Sequence, residues 1–206
     1  MKKEKVKTLF LDIGGVLLTD GWGRDARAKA FEHFILEQDK DHINERHDLN
    51  FDTYELGRMS FDKYLDNVIF YKKRKFSRED FIAFMFKQSK ALPGAVDYFT
   101  ELKHKNKLKV IAVSNEAREL NEYRINTFKL HDLFDSFVSS CYIGMRKPDP
   151  LMYKMASDIS FTPYKQAVYI DDRIIYIEFA EKLGIPSLHY KGIDSAKKHF
   201  EKLGLK

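Results

Sequence analysis

Three short apolar runs share one design, and that design constrains the fold more than any other feature of the chain. Val6, Leu9, Phe10 and Leu11 run into Asp12 and a glycine pair; LKVIAVSN, residues 108–115, ends on Ser114 and Asn115; QAVYIDD, residues 166–172, ends on Asp171 and Asp172. Each run is too brief for a helix and stops on small polar or acidic side chains, the mark of a buried strand entering a turn. SFVSSCYIG, residues 136–144, and IPSLHY near the carboxyl end extend the series. Between them lie amphipathic stretches, GAVDYFTELKHKN, EARELNEYRINTFKL, PLMYKMASDI and RIIYIEFAEKLG, the last closed by Gly184. Strand followed by helix, repeated, predicts an α/β fold: a Rossmann-like, doubly wound parallel sheet with helices on both faces.

Residues 20–92 break this rhythm, being rich in helix formers and aromatics with no convincing strand. They predict an α-helical cap domain inserted after the first strand, with residues 1–19 and 93–206 forming the core domain and Pro93-Gly94 marking the return. A last helix is expected around GIDSAKKHFEKLGLK. With 206 residues, 44% of them hydrophobic, the chain can bury one sizeable core plus a small appended domain. Charged residues interrupt every apolar run before membrane-spanning length, and the amino-terminal apolar residues lead into an acid rather than a cleavage site. A cytoplasmic protein without a membrane partner is expected. The lone Cys141 cannot form an internal disulfide. The net charge of +5 is spread along the chain; only KKRK at Lys72–Lys75 is concentrated, and it reads as a solvated loop or helix end, so no nucleic-acid partner is expected.

Ligands of an open parallel sheet bind outside the carboxyl ends of its strands. Asp12, Ser114, Lys147 and the pair Asp171 and Asp172 all fall at or just after expected strand ends. Each alone has an ordinary explanation: Ser114 as a helix cap, Lys147 as a surface lysine, Asp172 as an N-cap. Four segments aimed at one place weaken that explanation. Together they suit phosphoryl transfer to a carboxylate, with charge neutralised by carboxylate-bound Mg²⁺, a lysine and a hydroxyl donor. Asp12, Asp171 and Asp172 form an oxygen-rich set of the kind Mg²⁺ prefers, and Lys147 offsets their mutual repulsion.

In this order, DIGGV at Asp12, VSN at Ser114, Lys147 in MRKPDP, and YIDD at Asp171 and Asp172 resemble the four motifs of the haloacid dehalogenase-like (HAD) hydrolases. ELGRMSFDKY, residues 55–64, and Pro93-Gly94 are similar to the capped branch containing sugar-phosphate phosphatases and the phosphatase domain of soluble epoxide hydrolase. The resemblance implies that Asp12 is nucleophile and metal ligand, that Gly14 lends its carbonyl to Mg²⁺, and that Asp172 binds the metal directly and Asp171 directly or through water. It also implies that Ser114 and Asn115 contact phosphate while Lys147 bridges nucleophile and phosphate. The expected protein is a Mg²⁺-dependent phosphatase of a small phosphorylated metabolite, such as a sugar phosphate, working through an aspartyl-phosphate as a monomer or weak homodimer.

Gly14 departs from the family pattern, because many of its phosphatases carry there the acid that protonates the leaving group, a function worth about 10² to 10⁴ in rate. An easier leaving group, or an acid from elsewhere such as Asp20 or a cap residue, accounts for the change. Two alternatives stand beside this: a metal-independent 2-haloacid dehalogenase, for which the acidic pair would have no use, and a catalytically silent phosphate-binding or interaction protein, which has no reason to hold repelling carboxylates together. Tyr176 stands where the branch often has Asn, implying little more than an altered hydrogen bond. Trp22, Tyr54, Glu55 and Met59 are candidate pocket residues, although such spacing more often marks core. His33, His42 and His47 lack metal-ligand spacing and are expected at the surface.

Overall fold

The computed structural model describes residues 5–205. Thr8–Leu11 (β1), Lys109–Ser114 (β2), Ser136–Ser139 (β3), Ala167–Asp171 (β4) and Ser187–His189 (β5) form one parallel sheet in the order β3-β2-β1-β4-β5. Leu9 and Leu11 face one side with Val110, Ala112, Val168 and Ile170, beneath Ala95–Asn106 (α5) and Ile193–Lys202 (α10). Phe10 faces the other with Ile111, Val113, Val138 and Tyr169, beneath Pro150–Ser160 (α8) and Ile174–Lys182 (α9). Side chains alternate across a strand, so strands covered on both faces are apolar throughout and show no two-residue period.

The chain moves outward from β1 through β2 to β3, then crosses back to place β4 on the other side of β1. Leu11 pairs with both Ala112 and Ile170, so β1, β2 and β4 end side by side at the point where the winding reverses. That crevice is where a doubly wound sheet binds its ligand.

Residues 20–92 carry Arg24–His33 (α1), Lys40–Glu55 (α2), Phe61–Val68 (α3) and Arg78–Lys87 (α4). Local chemistry starts the last two, since Ser60 and Ser77 accept from the backbone N–H of Lys63 and Asp80. Trp22, Phe31, Tyr54, Tyr64, Phe81 and Met85 share a cluster with Ala117 and Leu120, so these helices pack against Arg118–Thr127 (α6) and the loop before it. The chain leaves and returns by antiparallel segments, Thr19 N–H donating to Lys90 C=O (2.8 Å) and Leu92 N–H to Leu17 C=O (2.9 Å). Within the KKRK run, Lys72 and Arg74 both bond Asp39, at 2.7 and 2.6 Å, so part of it closes a loop.

One expected element differs. The strand read over residues 136–144 ends at Ser139, and Ser140–Ile143 turns into a short helix (α7) closed by Gly144. The cause is Ser140, whose Oγ accepts from Glu116 N–H (2.9 Å) and donates to Glu55 C=O (2.9 Å), replacing ladder contacts with side-chain-to-backbone ones.

Candidate active site

The ends of β1, β2 and β4 bring the expected residues together. Asp12 is 7% exposed. Its Oδ1 accepts from Ile13 N–H (2.8 Å) and Ser114 Oγ (2.6 Å), while its Oδ2 lies 3.0 Å from Lys147 Nζ. Lys147 is buried rather than at the surface and also donates to Asp171 Oδ2 (2.6 Å). Ser114 therefore orients a carboxylate and caps no helix. Asn115 bonds both backbone groups of Lys147, Nδ2 donating to its C=O (3.2 Å) and Oδ1 accepting from its N–H (2.7 Å). In this pose it positions the lysine, with one Nδ2 hydrogen left for a ligand.

The acids differ in engagement. Asp171 Oδ2 takes donors from Lys147 and Tyr169, and Oδ1 accepts from Arg173 N–H (2.8 Å). Asp172 is half-buried and, among the described residues, its carboxylate is engaged only by its own backbone N–H and by no donor from another residue. Asp12, Asp171 and Asp172 each offer an oxygen atom within 4.8 Å of the others. An all-carboxylate set fits Mg²⁺, and Gly14, which lines the same cavity, has a carbonyl that accepts no hydrogen bond among the described residues.

Burial pushes Asp12 up to about 7, with Asp171 adding and Lys147 and Ser114 opposing. Burial would lower Lys147, but the charges of Asp12 and Asp171 outweigh it and keep the ammonium protonated. Burial also raises Asp172, reinforced by Asp171 and Asp20. A divalent cation would relieve this repulsion.

The two glycines have different tasks. A Cβ on Gly14 would sit 3.4 Å from Asp20 Oδ1 and 4.0 Å from Arg124 Nη2, ordinary contact distances. Gly15 has φ +68°, and its Cβ would fall 2.2 Å from Asp172 Cγ. Gly15 is thus what lets the Asp172 carboxylate lie against the backbone.

Above these residues is a cavity of about 370 Å³ reaching into the cap. Trp22 and Glu55 line it, as expected of pocket residues, whereas Tyr54 is buried and donates to Glu119 Oε2 (2.9 Å) and Met59 packs on the cap cluster. Tyr176 also lines it, with its ring 5.0 Å from Lys147 Nζ, a cation–π contact beyond the hydrogen-bond change expected there.

His47 is a correction: it is buried, while His33 and His42 are exposed. Its Nε2 faces Arg27 Nη1 (2.9 Å) and its Nδ1 faces Tyr64 OH (2.7 Å). A guanidinium only donates, so Nε2 accepts and the neutral ring carries its proton on Nδ1. Burial and the Arg27 charge push His47 down to about 3.

Sequence reasoning also missed the salt bridges around the cavity. Arg124 Nη1 meets Glu116 Oε1 at 2.6 Å and Nη2 donates to Thr19 C=O (2.9 Å), tying α6 to the linker into the cap. Arg146 pairs with Asp52 and, at 2.9 Å, with Glu55 Oε2. Burial pushes Glu55 up to about 7 against the opposing Arg146 charge, with Glu116 and Asp52 adding. Nothing along the chain announces these partners. Tyr169 had a usable signal, since it precedes Asp171 by two residues and so shares its face of β4.

A family model described as haloacid dehalogenase-like hydrolase matches residues 6–184. Bifunctional epoxide hydrolase 2 of Sus scrofa is 31% identical over 75 residues, a match covering 36% of this chain and 14% of that much longer protein. An HAD-family enzyme of Bacteroides thetaiotaomicron has a similar fold, with TM-score 0.78 and 22% identity over 91% of this chain and 95% of that one. L-2-haloacid dehalogenase of Xanthobacter autotrophicus aligns less closely, with TM-score 0.61 and 18% identity over 88% of this chain and 76% of that one.

Proposed function

The chain belongs to the haloacid dehalogenase-like hydrolases, and from that premise we propose that it is a Mg²⁺-dependent phosphatase of a small phosphorylated metabolite, acting in the cytoplasm as a monomer or weak homodimer. The observation that carries the proposal is the set of three carboxylates, Asp12, Asp171 and Asp172, gathered within 4.8 Å. Metal-independent dehalogenation has no use for the two acids beside Asp12. The similar Bacteroides enzyme has been crystallised with magnesium and inorganic phosphate, which supports the choice of ion.

Asp12, Asp172 and the Gly14 carbonyl, with Asp171 directly or through water, would hold Mg²⁺, which when bound neutralises charge on the transferring phosphoryl group. Asp12 Oδ1 is fixed by Ile13 and Ser114, so Oδ2 is the oxygen that attacks phosphorus. The P–O bond to the leaving alcohol breaks as the Oδ2–P bond forms, giving an aspartyl-phosphate that water then hydrolyses. Lys147 offsets the charge of both Asp12 and the incoming phosphate, and Ser114 and Asn115 contact the phosphate. Asp20 faces the space in front of Gly14 and stands in for the missing proton donor.

A phosphate-release screen over sugar phosphates, nucleotides and an aryl phosphate, with and without Mg²⁺, tests this. Release that needs Mg²⁺ and disappears in Asp12→Asn is expected. Release unaffected by EDTA or by that substitution contradicts the mechanism, and halide release from 2-haloacids without metal would put a dehalogenase in its place.

A further inference from the structure

Arg27, on α1, is only 7% exposed and lines the cavity from the cap side. It is held rigidly by neutral acceptors: Nε donates to Asn44 Oδ1 (3.0 Å), and Nη1 to Trp22 C=O (3.1 Å) and His47 Nε2 (2.9 Å). Among the described residues no carboxylate lies within ion-pair distance of it, and Nη2 has no hydrogen-bond partner. Asp48 acts on it only from a distance. The other buried cations nearby are matched, Arg124 by Glu116 and Lys147 by Asp12 and Asp171. Half-buried Arg146 has Asp52 and Glu55, and exposed Arg173 keeps its solvent.

A buried charge without a countercharge is costly, and the surroundings of Arg27 keep it in place rather than relieve it. Neutral His47 fixes the guanidinium without adding a second cation. The pocket therefore has a preorganised positive charge in its roof, apart from the Asp12–Lys147 site on its floor. A sugar hydroxyl would satisfy Nη2 as a hydrogen-bond acceptor but leave the charge unmatched; an anion satisfies both, with the greater strength of a charge-assisted bond.

We infer that Arg27 Nη2 binds a second anionic group, carboxylate or phosphate, on the alcohol portion of the substrate, so that the preferred substrates are phosphorylated acids or bisphosphates. This rests on the phosphatase reading. At about 370 Å³ the cavity suits a compact metabolite of this kind.

The test compares kcat/KM for esters matched in their phosphate but not in their tail: 3-phosphoglycerate against glycerol 3-phosphate for a carboxylate, and fructose 1,6-bisphosphate against fructose 1-phosphate for a second phosphate. The wild-type protein should favour the anionic tail at least about tenfold in one pair, which identifies the source of the anion, as expected of a charge-assisted contact. In Arg27→Gln that ratio should collapse toward one, chiefly through KM, while Arg27→Lys keeps the charge, loses the fork and retains part of it. The wild-type ratios stand even if Arg27→Gln fails to fold. Ratios near one in both pairs, or a ratio that survives in folded Arg27→Gln, overturn the inference while phosphate release from the neutral-tailed esters leaves the phosphatase reading intact. Absence of phosphate release from every ester overturns both.

Discussion

Gly14 and Gly15 are adjacent in sequence and opposite in demand. Gly14→Ala meets Asp20 and Arg124 only at ordinary contact distances, so the fold should tolerate it with a stability change below about 1 kcal/mol. Gly15→Ala meets both a left-handed backbone and the Asp172 carboxylate. It should cost about 1–3 kcal/mol and weaken Mg²⁺ binding, as read by thermal unfolding and calorimetry; equal effects from the two substitutions would contradict this placement of Asp172. His47 supplies a pH dependence. Its folded value, about 3, lies below the ordinary histidine value of 6.5, so its contribution is present above pH ~6.5 and is lost as pH falls, because the unfolded chain takes a proton that the folded one refuses. Urea unfolding should show wild type losing about 1–2 kcal/mol more than His47→Gln between pH 7 and 5, and parallel curves would refute the neutral, buried assignment. Asp12, Ser114, Lys147, Asp171 and Asp172 were legible in the sequence because polar residues closing apolar runs stand out there. Arg27, His47 and Arg124 were not, since ordinary helical positions give no hint of a partner brought in by the fold.

At the scale of elements, the cap is joined to the core by close backbone contact as well as by side chains. Gly57, in the turn after α2, has φ +69°, and a Cβ there would lie 2.4 Å from Cys141 C=O. A backbone carbonyl cannot swing aside as a side chain does, so Gly57→Ala should push the cap off α7. We expect kcat/KM to fall at least about tenfold through loss of closure, with the circular dichroism of the fold retained; undiminished activity would show that this contact is dispensable. The Glu116–Arg124 pair is sealed from solvent, so removing one partner strands a buried charge. Arg124→Met should cost about 3–5 kcal/mol, and adding Glu116→Gln should restore much of it. Additive losses in that cycle would mean the two residues act separately. The α7 turn was missed in the sequence because SFVSSCYIG is apolar enough for a strand; only the arrival of Glu55 and Glu116 makes Ser140 a bend.

For the whole molecule, the repeated strand–helix rhythm led to the correct sheet class because both faces of every central strand are covered, and burial leaves its mark on composition. Strand order was not written locally, yet it decides where chemistry takes place. β1 sits between β2 and β4, so residues distant along the chain meet at one crevice. The reach of the cap over that crevice was visible only as an absence of strand signals, and the pairing of its linkers depends on segments about seventy residues apart. The assembled architecture places one carboxylate, Asp12, in the lining of the cavity with cations and acids arranged around it. Chemical trapping of the intermediate tests that arrangement most directly: brief reaction of the Mg²⁺-loaded protein with a turned-over phosphate ester, acid quench, borohydride reduction and peptide mass spectrometry. Conversion of residue 12 to homoserine, dependent on Mg²⁺ and on substrate, is the predicted result. Phosphate release without any modification of Asp12, or reduction at a different carboxylate, would contradict the account.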